Sequence, residues 1–218
     1  HERVFIRPTA SSGALGGVAR ATKAAIVLCE AAGYTHVFVE TVGVGQSETA
    51  VSQMVDAFLF LAMPGTGDEL QGIKKGIMEM ADLIAINKCE GDNAPAAKRS
   101  RLELQRALQL STRNDFNWTP TITLISALES QGFEELDGAI DQCIRHSIGQ
   151  GWFEEKRRLQ AEYWFEMEVK HSLRNVIQQH AVLQAEYDAL RVQVGQSELG
   201  PLQASKLFIE ELRRRLDA

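Results

Sequence analysis

The sequence predicts a doubly wound α/β domain with a mainly parallel sheet, followed by an α-helical extension. Three observations carry that expectation. Short apolar runs recur without hydrophobic–polar alternation, helix-period segments lie between them, and every strand signal stops after Gly149-Gln150-Gly151. Continuous apolar runs of this length suit strands buried on both faces, and their alternation with helices predicts βαβ units.

The predicted strands are Tyr34–Glu40 (YTHVFVE), Asp56–Met63 (DAFLFLAM), Asp82–Asn87 (DLIAIN) and Thr121–Ser126 (TITLIS). Val4-Phe5-Ile6 has a similar strand-like composition. The predicted helices are Leu15–Ala32, closed by Gly33, then Ser47–Val55, Glu69–Met80, Ala94–Leu110 and Phe133–Ile148. A glycine just past the last periodic residue is a stop signal, because it adopts the left-handed conformation a helix end requires. After residue 150, Leu159, Tyr163, Met167, Lys170, Leu173, Ile177, His180, Leu183, Tyr187, Leu190 and Val194 follow steps of three and four. That predicts one long amphipathic helix, or two with a break. Gly195 to Pro201 is a turn, and Leu202 to Leu216 a final helix. The expected organisation is an α/β domain over 1–148 and a helical arm over 149–218 that serves as a dimerisation element.

Composition narrows the function classes. The 218 residues carry a net charge of −6, with 44% hydrophobic and 24% charged residues, ordinary for a globular chain. A mildly acidic balance argues against nucleic acid or an anionic membrane as main partner. The late Arg157-Arg158 and Arg213-Arg214-Arg215 runs are interleaved with Glu, as on solvated helix faces. No apolar run reaches the ~20 residues that span a bilayer, and no signal peptide is visible. Cys29, Cys89 and Cys143 are odd in number and far apart, which fits reduced thiols and a cytoplasmic compartment (or a mitochondrial matrix in a eukaryote).

In a doubly wound sheet, ligands bind beyond the carboxyl ends of the strands, so the loops there carry the chemistry. The first reads VETVGVGQSE. Glu40 at the strand end can hold Mg²⁺ through a coordinated water, because this ion keeps most of its hydration shell. Gly43 lets a backbone N–H approach a terminal phosphate with no Cβ in the way. Gly45 adds mobility, and the neutral amide of Gln46 can orient an attacking water. The bland alternative is a glycine turn capped by Ser47.

The second loop, AINKCEGDN, is an N-K-x-acid run. In guanine recognition Asn87 would meet the purine N7 edge and tie neighbouring loops together. The Lys88 stem would lie over the ring. Glu90 would accept hydrogen bonds from the ring N1–H and the exocyclic 2-amino group. Adenine offers neither donor, so it would leave a buried acceptor unmet at a cost of ~1–3 kcal/mol. The third loop, SALE, offers backbone N–H groups for the guanine O6, with small Ala127 avoiding a clash; Ser126, Ala127 and Leu128 complete this side. These three short signals fall in order on three successive predicted strand ends.

FIRPTASSGALGGVAR, VETVGVGQSE, GDELQGIKKG and NKCEGDN closely resemble the GTPase chaperones of methylmalonyl-CoA mutase, formerly labelled as an arginine/ornithine transport kinase. The resemblance starts near Val4, spans the α/β part and continues weakly into the helical tail. It implies a P-loop NTPase fold of the dimerising group that includes signal-recognition-particle and nickel-insertion GTPases. It also implies Mg²⁺-dependent hydrolysis of GTP to GDP and phosphate, and an adenosylcobalamin-dependent acyl-CoA mutase as partner. Hydrolysis would gate cofactor loading and protect the mutase. By position, Glu40 and Gly43 resemble the magnesium and γ-phosphate switch, while Asn87, Lys88 and Glu90 resemble the base reader. Gly67, Asp68, Glu69, Gln71, Lys74 and Lys75 lie in a segment resembling the family's relay to the mutase.

Two departures stand out. No G-x-x-x-x-G-K-[ST] phosphate loop occurs in these 218 residues, and the chain opens at His1 on a strand-like run. The expectation is therefore an N-terminally truncated member whose phosphate cradle would lie upstream, inactive by itself. Glu90 also stands where the family has Asp, with Gly91-Asp92 fitting the pair that trails the motif. Competing readings are a non-catalytic dimerising scaffold and a nickel-insertion GTPase. The latter would show a His-rich loading segment, but the five histidines are scattered.

Overall fold

In a computed structural model, residues 4–8, 15–41, 47–65, 80–109 and 117–216 are described. The chain divides into two compact units, His1–Gln160 and Ala161–Ala218.

In the first unit, helices α1 (Leu15–Ala31) and α2 (Ser47–Ser52) precede strand β1 (Leu59–Ala62). Strand β2 (Leu83–Ile86) follows, then a 3-10 turn at Gly91–Asn93 and helix α3 (Ala94–Gln109). Strand β3 (Thr121–Leu124) and helix α4 (Phe133–Gly149) come next. The strands form a parallel sheet in the order β1-β2-β3, with Leu59 opposite Leu83 and Leu83 opposite Thr121. All four residues of central β2 are buried, as its unbroken apolar run requires.

Side-chain alternation along β2 assigns its two faces. Ile84 and Ile86 pack with Ala97 and Leu104 of α3. Leu83 packs with Ala139 and Cys143 of α4, and Ala85 with Leu136 and Ile125. Helices thus cover both faces of a parallel sheet, the doubly wound arrangement.

Helix α1 ends as the sequence predicts. Gly33 has φ +85°, and Tyr34 N–H donates to Cys29 O at 3.0 Å. The predicted helix over Glu69–Met80 lies almost wholly outside the described residues, and Gly67, Asp68, Glu69, Gln71, Lys74 and Lys75 lie there with it.

The predicted strand Tyr34–Glu40 is not a strand in the structure, and neither is Val4-Phe5-Ile6. A strand exists only where a neighbour completes its hydrogen bonds, and among the described residues no strand pairs with either segment. Phe38 is left 84% exposed and Ile6 is exposed with it. The remaining three strands are where the runs predict them, each shorter by two to four residues at its ends.

Helix α5 (Trp152–Gln179) starts in the first unit and continues in the second, followed by α6 (Ala181–Gly195) and α7 (Pro201–Leu216). The question of one helix or two resolves at His180. Its backbone is extended (φ −94°, ψ 101°), and its imidazole accepts the Leu183 N–H as an N-cap. Pro201 opens α7 at a position where the missing N–H is no loss. Leu190, Ala204 and Phe208 form the second unit's core, with Ile177, Val194 and Leu199 around it.

Candidate functional site

The site is assembled where β2 and β3 end. Asn87 extends β2: its N–H donates to Ala62 O of β1 at 2.9 Å. Its side-chain Oδ1 accepts two backbone N–H groups, from Lys88 at 2.8 Å and from Ala127 at 3.1 Å. One carboxamide oxygen therefore stitches the loop after β2 to the loop after β3. The first of those bonds also supports Lys88 in the left-handed region (φ +62°), a conformation costly for a side-chain-bearing residue. The Lys88 side chain is exposed.

Cys89 makes a second set of stitches. Its N–H donates to Ile125 O at 3.2 Å and its thiol to Ile86 O at 2.9 Å. Burial pushes the Cys89 thiol above its ordinary pKa, and the Glu90 charge adds to the rise. Thiolate is the nucleophile, so Cys89 is expected to be alkylated by iodoacetamide at pH 8 more slowly than a free cysteine thiol. Mass-spectrometric labelling kinetics check this; a rate equal to that of free thiol contradicts it.

Glu90 starts the 3-10 turn at Gly91–Asn93 from an extended conformation (φ −83°, ψ 160°) without capping it through its side chain. Its Oε2 is buried and has no hydrogen-bond partner among the described residues. A buried carboxylate oxygen without a donor is rare in a folded protein, because desolvation is then uncompensated. One acceptor position of Glu90 is thus left open among the described residues.

The β3 side is closed by a tight loop. Ser126 and Gln131 form an antiparallel bridge through N–H···O bonds of 3.0 and 3.1 Å. Buried Ser126 Oγ accepts the Glu129 N–H at 3.0 Å. At the tip, Leu128 is 82% exposed. The Ala127 N–H, expected from the sequence to face a guanine O6, is engaged by Asn87 in this structure, so O6 would have to share that donor or displace the bond.

Asn87, Lys88, Glu90, Ser126, Ala127 and Leu128 are thus brought together by two strand ends and their cross-links. Glu40 is exposed in a non-strand segment, and Gly43 and Gln46 lie outside the described residues. Among the described residues no group of three or more His, Cys, Asp or Glu side chains could hold a metal ion. Mg²⁺ bound with a nucleotide takes one or two carboxylates, with phosphate oxygens and water for the rest. The single hard carboxylate of Glu40 fits such a shared site.

Two contributors were not singled out from the sequence. Cys89 reads as a filler between Lys88 and Glu90, yet pins both loops. Gly132 reads as an ordinary turn residue before α4, yet it has φ +77° and a Cβ there would lie 2.2 Å from Leu124 O. The only sequence signal for it is a glycine two residues after the serine of a turn.

The family model described as "Methylmalonyl Co-A mutase-associated GTPase MeaB" matches residues 1–182. A probable GTPase of Mycobacterium tuberculosis is 38% identical over 210 residues, covering 96% of this chain and 62% of the relative. "GTPase ArgK" of Escherichia coli is 44% identical over 174 residues, covering 80% and 53%. "Methylmalonic aciduria type A homolog, mitochondrial" of Mus musculus is 38% identical over 211 residues, covering 97% and 51%. These matches leave the chain spanning between about half and just under two thirds of the curated relatives' length. Among solved structures, one titled "Crystal structure of LAO/AO transport system kinase" superposes with a TM-score of 0.74 at 35% identity, covering 96% of this chain and 66% of that one. No helix among the described residues is long and apolar enough to cross a membrane.

Proposed function

Because the chain belongs to the family of methylmalonyl-CoA mutase-associated GTPases, we propose that it is the guanine-reading part of a GTP hydrolase that serves a cobalamin-dependent acyl-CoA mutase. The reaction is GTP + H₂O to GDP + phosphate, and its role is to gate cofactor loading and protect the mutase. The observation that carries this reading is the buried Oε2 of Glu90, without a donor among the described residues, beside two loops locked together by Asn87.

Guanine presents N1–H and the 2-amino group on one edge, and Glu90 supplies the acceptors. The extra methylene relative to Asp preserves both oxygens, so paired acceptance remains available if the base sits about one C–C step further out. Lys88 covers one ring face. Exposed Leu128 supplies apolar surface at the neighbouring loop tip. Adenine would leave Oε2 buried and without a donor among the described residues. Glu90→Ala is therefore expected to reduce the preference for GDP over ADP by about tenfold to a hundredfold, while Glu90→Asp retains it. Competitive binding of the two nucleotides checks this, and an unchanged ratio in the alanine variant contradicts it.

When bound, Mg²⁺ would neutralise phosphate charge, with Glu40 holding it through water. Gly43 would meet the terminal phosphate and Gln46 the attacking water. The segment containing Gly67, Asp68, Glu69, Gln71, Lys74 and Lys75 would relay nucleotide state to the mutase. Phe165, Val169, Leu173 and Val176 are exposed on α5 at steps of four, four and three, an apolar stripe that supports homodimerisation of the helical unit. The expected compartment is the cytoplasm of a bacterium or a mitochondrial matrix.

The 218 residues hold no G-x-x-x-x-G-K-[ST] cradle, so the chain by itself would engage the base more firmly than the β- and γ-phosphates. Phosphate release from GTP by residues 1–218 is expected to stay below the intrinsic rate of a small GTPase, about 10⁻⁴ per second. A rate at or above that level contradicts this part of the reading.

A further inference from the structure

Strand β2 runs into one residue too many for its ladder. Ile84 and Ile86 face the core cluster that includes Ala97 and Leu104 of α3. With a side-chain period of two, residue 88 would be next on that face, and residue 88 is a lysine. Hydrogen bonding sets the same expectation. Ile125 N–H donates to Ile86 O at 2.9 Å. In an unbroken parallel ladder, donors on one strand recur every second residue, so the N–H of residue 88 would return to Ile125 O.

The donor that reaches Ile125 O is instead Cys89 N–H, at 3.2 Å. Lys88 N–H turns to Asn87 Oδ1 at 2.8 Å, and Lys88 is left-handed at φ +62°. Two residues therefore stand where the ladder has room for one, the pattern of a β-bulge. The insertion leaves Lys88 exposed and brings half-buried Cys89 onto the apolar face, against the cluster that holds Ile84 and Ile86. Cys89 Sγ then donates to the second lone pair of Ile86 O at 2.9 Å. Beyond Glu90, Asn93 N–H donates to Glu90 O at 3.2 Å, and Ala97 of α3 enters the same cluster. Glu90 thus lies between two anchors in one core.

We propose that Lys88 is the inserted residue of a parallel β-bulge, and that Cys89, which takes the ladder position in its place, is a positioning residue for Glu90. The positioning role rests on the reading of Glu90 as the acceptor for guanine; the bulge does not. A register without the insertion would drive Lys88 into the apolar face and send each following side chain to the other side. Cysteine suits the anchor because it is a small hydrophobe that still carries a donor. Its two bonds and its packing fix the backbone that enters Glu90, which is extended at φ −83° and ψ 160°.

Amide exchange by NMR on the full 218-residue chain tests the bulge without nucleotide. Asn87→Ala removes the acceptor of Lys88 N–H, so exchange at Lys88 is expected to rise about threefold to tenfold, the equilibrium effect of one hydrogen bond. Cys89 N–H keeps Ile125 O, and residues 83–86 do not change. Unchanged exchange at Lys88, or a rise shared by residues 83–86, overturns the bulge. Titration with GDP and with ADP tests the positioning. Cys89→Ser keeps a donor for Ile86 O and is expected to hold the wild-type preference for GDP. Cys89→Val keeps an apolar anchor without a donor, and its GDP-to-ADP preference is expected to fall about threefold to tenfold. Equal preference in the serine and valine variants overturns the role of the thiol. An equal loss for both nucleotides makes Cys89 a structural support only and overturns positioning. A wild-type chain without GDP preference overturns the reading of Glu90, and the positioning with it, while the exchange result for the bulge stands.

Discussion

Gly132→Ala is expected to destabilise the first unit by about 3 kcal/mol or more and to dismantle with it the loops proposed to read the base. Two costs combine. A left-handed backbone costs an L-residue roughly 1–2 kcal/mol, and Gly132 has φ +77°. A Cβ there would also stand 2.2 Å from Leu124 O, a backbone atom at the end of β3 that cannot swing aside like the tip of a flexible side chain. Relief requires the chain to lift between Ser126 and α4, which breaks the Ser126–Gln131 bridge and withdraws Ala127 from Asn87. Gly138→Ala is the control: it lies within α4 with nothing within 4 Å of the added Cβ, and alanine there is expected to be neutral or to stabilise by about 0.5–1 kcal/mol. Urea denaturation midpoints of the two variants should move in opposite directions or differ sharply. Equal midpoints would contradict the close approach.

Lys156→Met is expected to cost about 3–5 kcal/mol, the range for removing one partner of a buried ion pair. Asp82 is 1% exposed, and its Oδ2 accepts Phe58 N–H at 2.8 Å with Lys156 Nζ at 3.3 Å. Its backbone is equally committed, since Asp82 O accepts the Trp118 indole N–H at 2.8 Å. The carboxylate thus joins the edge before β1, the start of β2 and the first turns of α5. Without the ammonium its charge stays buried with less compensation. Asp82→Asn on the methionine background removes that charge but preserves an acceptor for Phe58. The double variant should therefore recover part of the loss, and a double-mutant cycle by chemical denaturation measures the coupling. Strict additivity would show that the pair does not interact.

What was legible in the sequence follows the physics of each element. DLIAIN announces a buried strand because four consecutive apolar residues leave no face for water. YTHVFVE is rich in β-branched and aromatic residues and yields no strand, because composition reports a residue's tolerance of a sheet and not the presence of a neighbour. The three residues of the N-K-x-acid run were readable as types and spacing. The buried Oε2 of Glu90 was not, since burial depends on how the following turn folds over it. Lys156, Arg157 and Gln160 look like the solvated side of an amphipathic helix; their partners lie 100 or more residues away for Asp56 and Val55. The predicted division after residue 148 and the division of compact units after Gln160 differ by the stretch that bears these three side chains. The proposed phosphate-sensing loop and relay segment rest on sequence, since Gly43, Gln46 and residues 67–75 lie outside the described residues.

Guanine recognition at the two strand ends is the central claim, and amide chemical shifts test it most directly. Titrating the isotopically labelled chain with GDP at millimolar concentration should shift the N–H signals of Lys88, Glu90, Ala127 and Leu128 saturably. An equal concentration of ADP should leave them in place. Equal shifts with both nucleotides, or GDP-induced shifts confined to other residues, would contradict a base-reading site built on Asn87, Lys88 and Glu90.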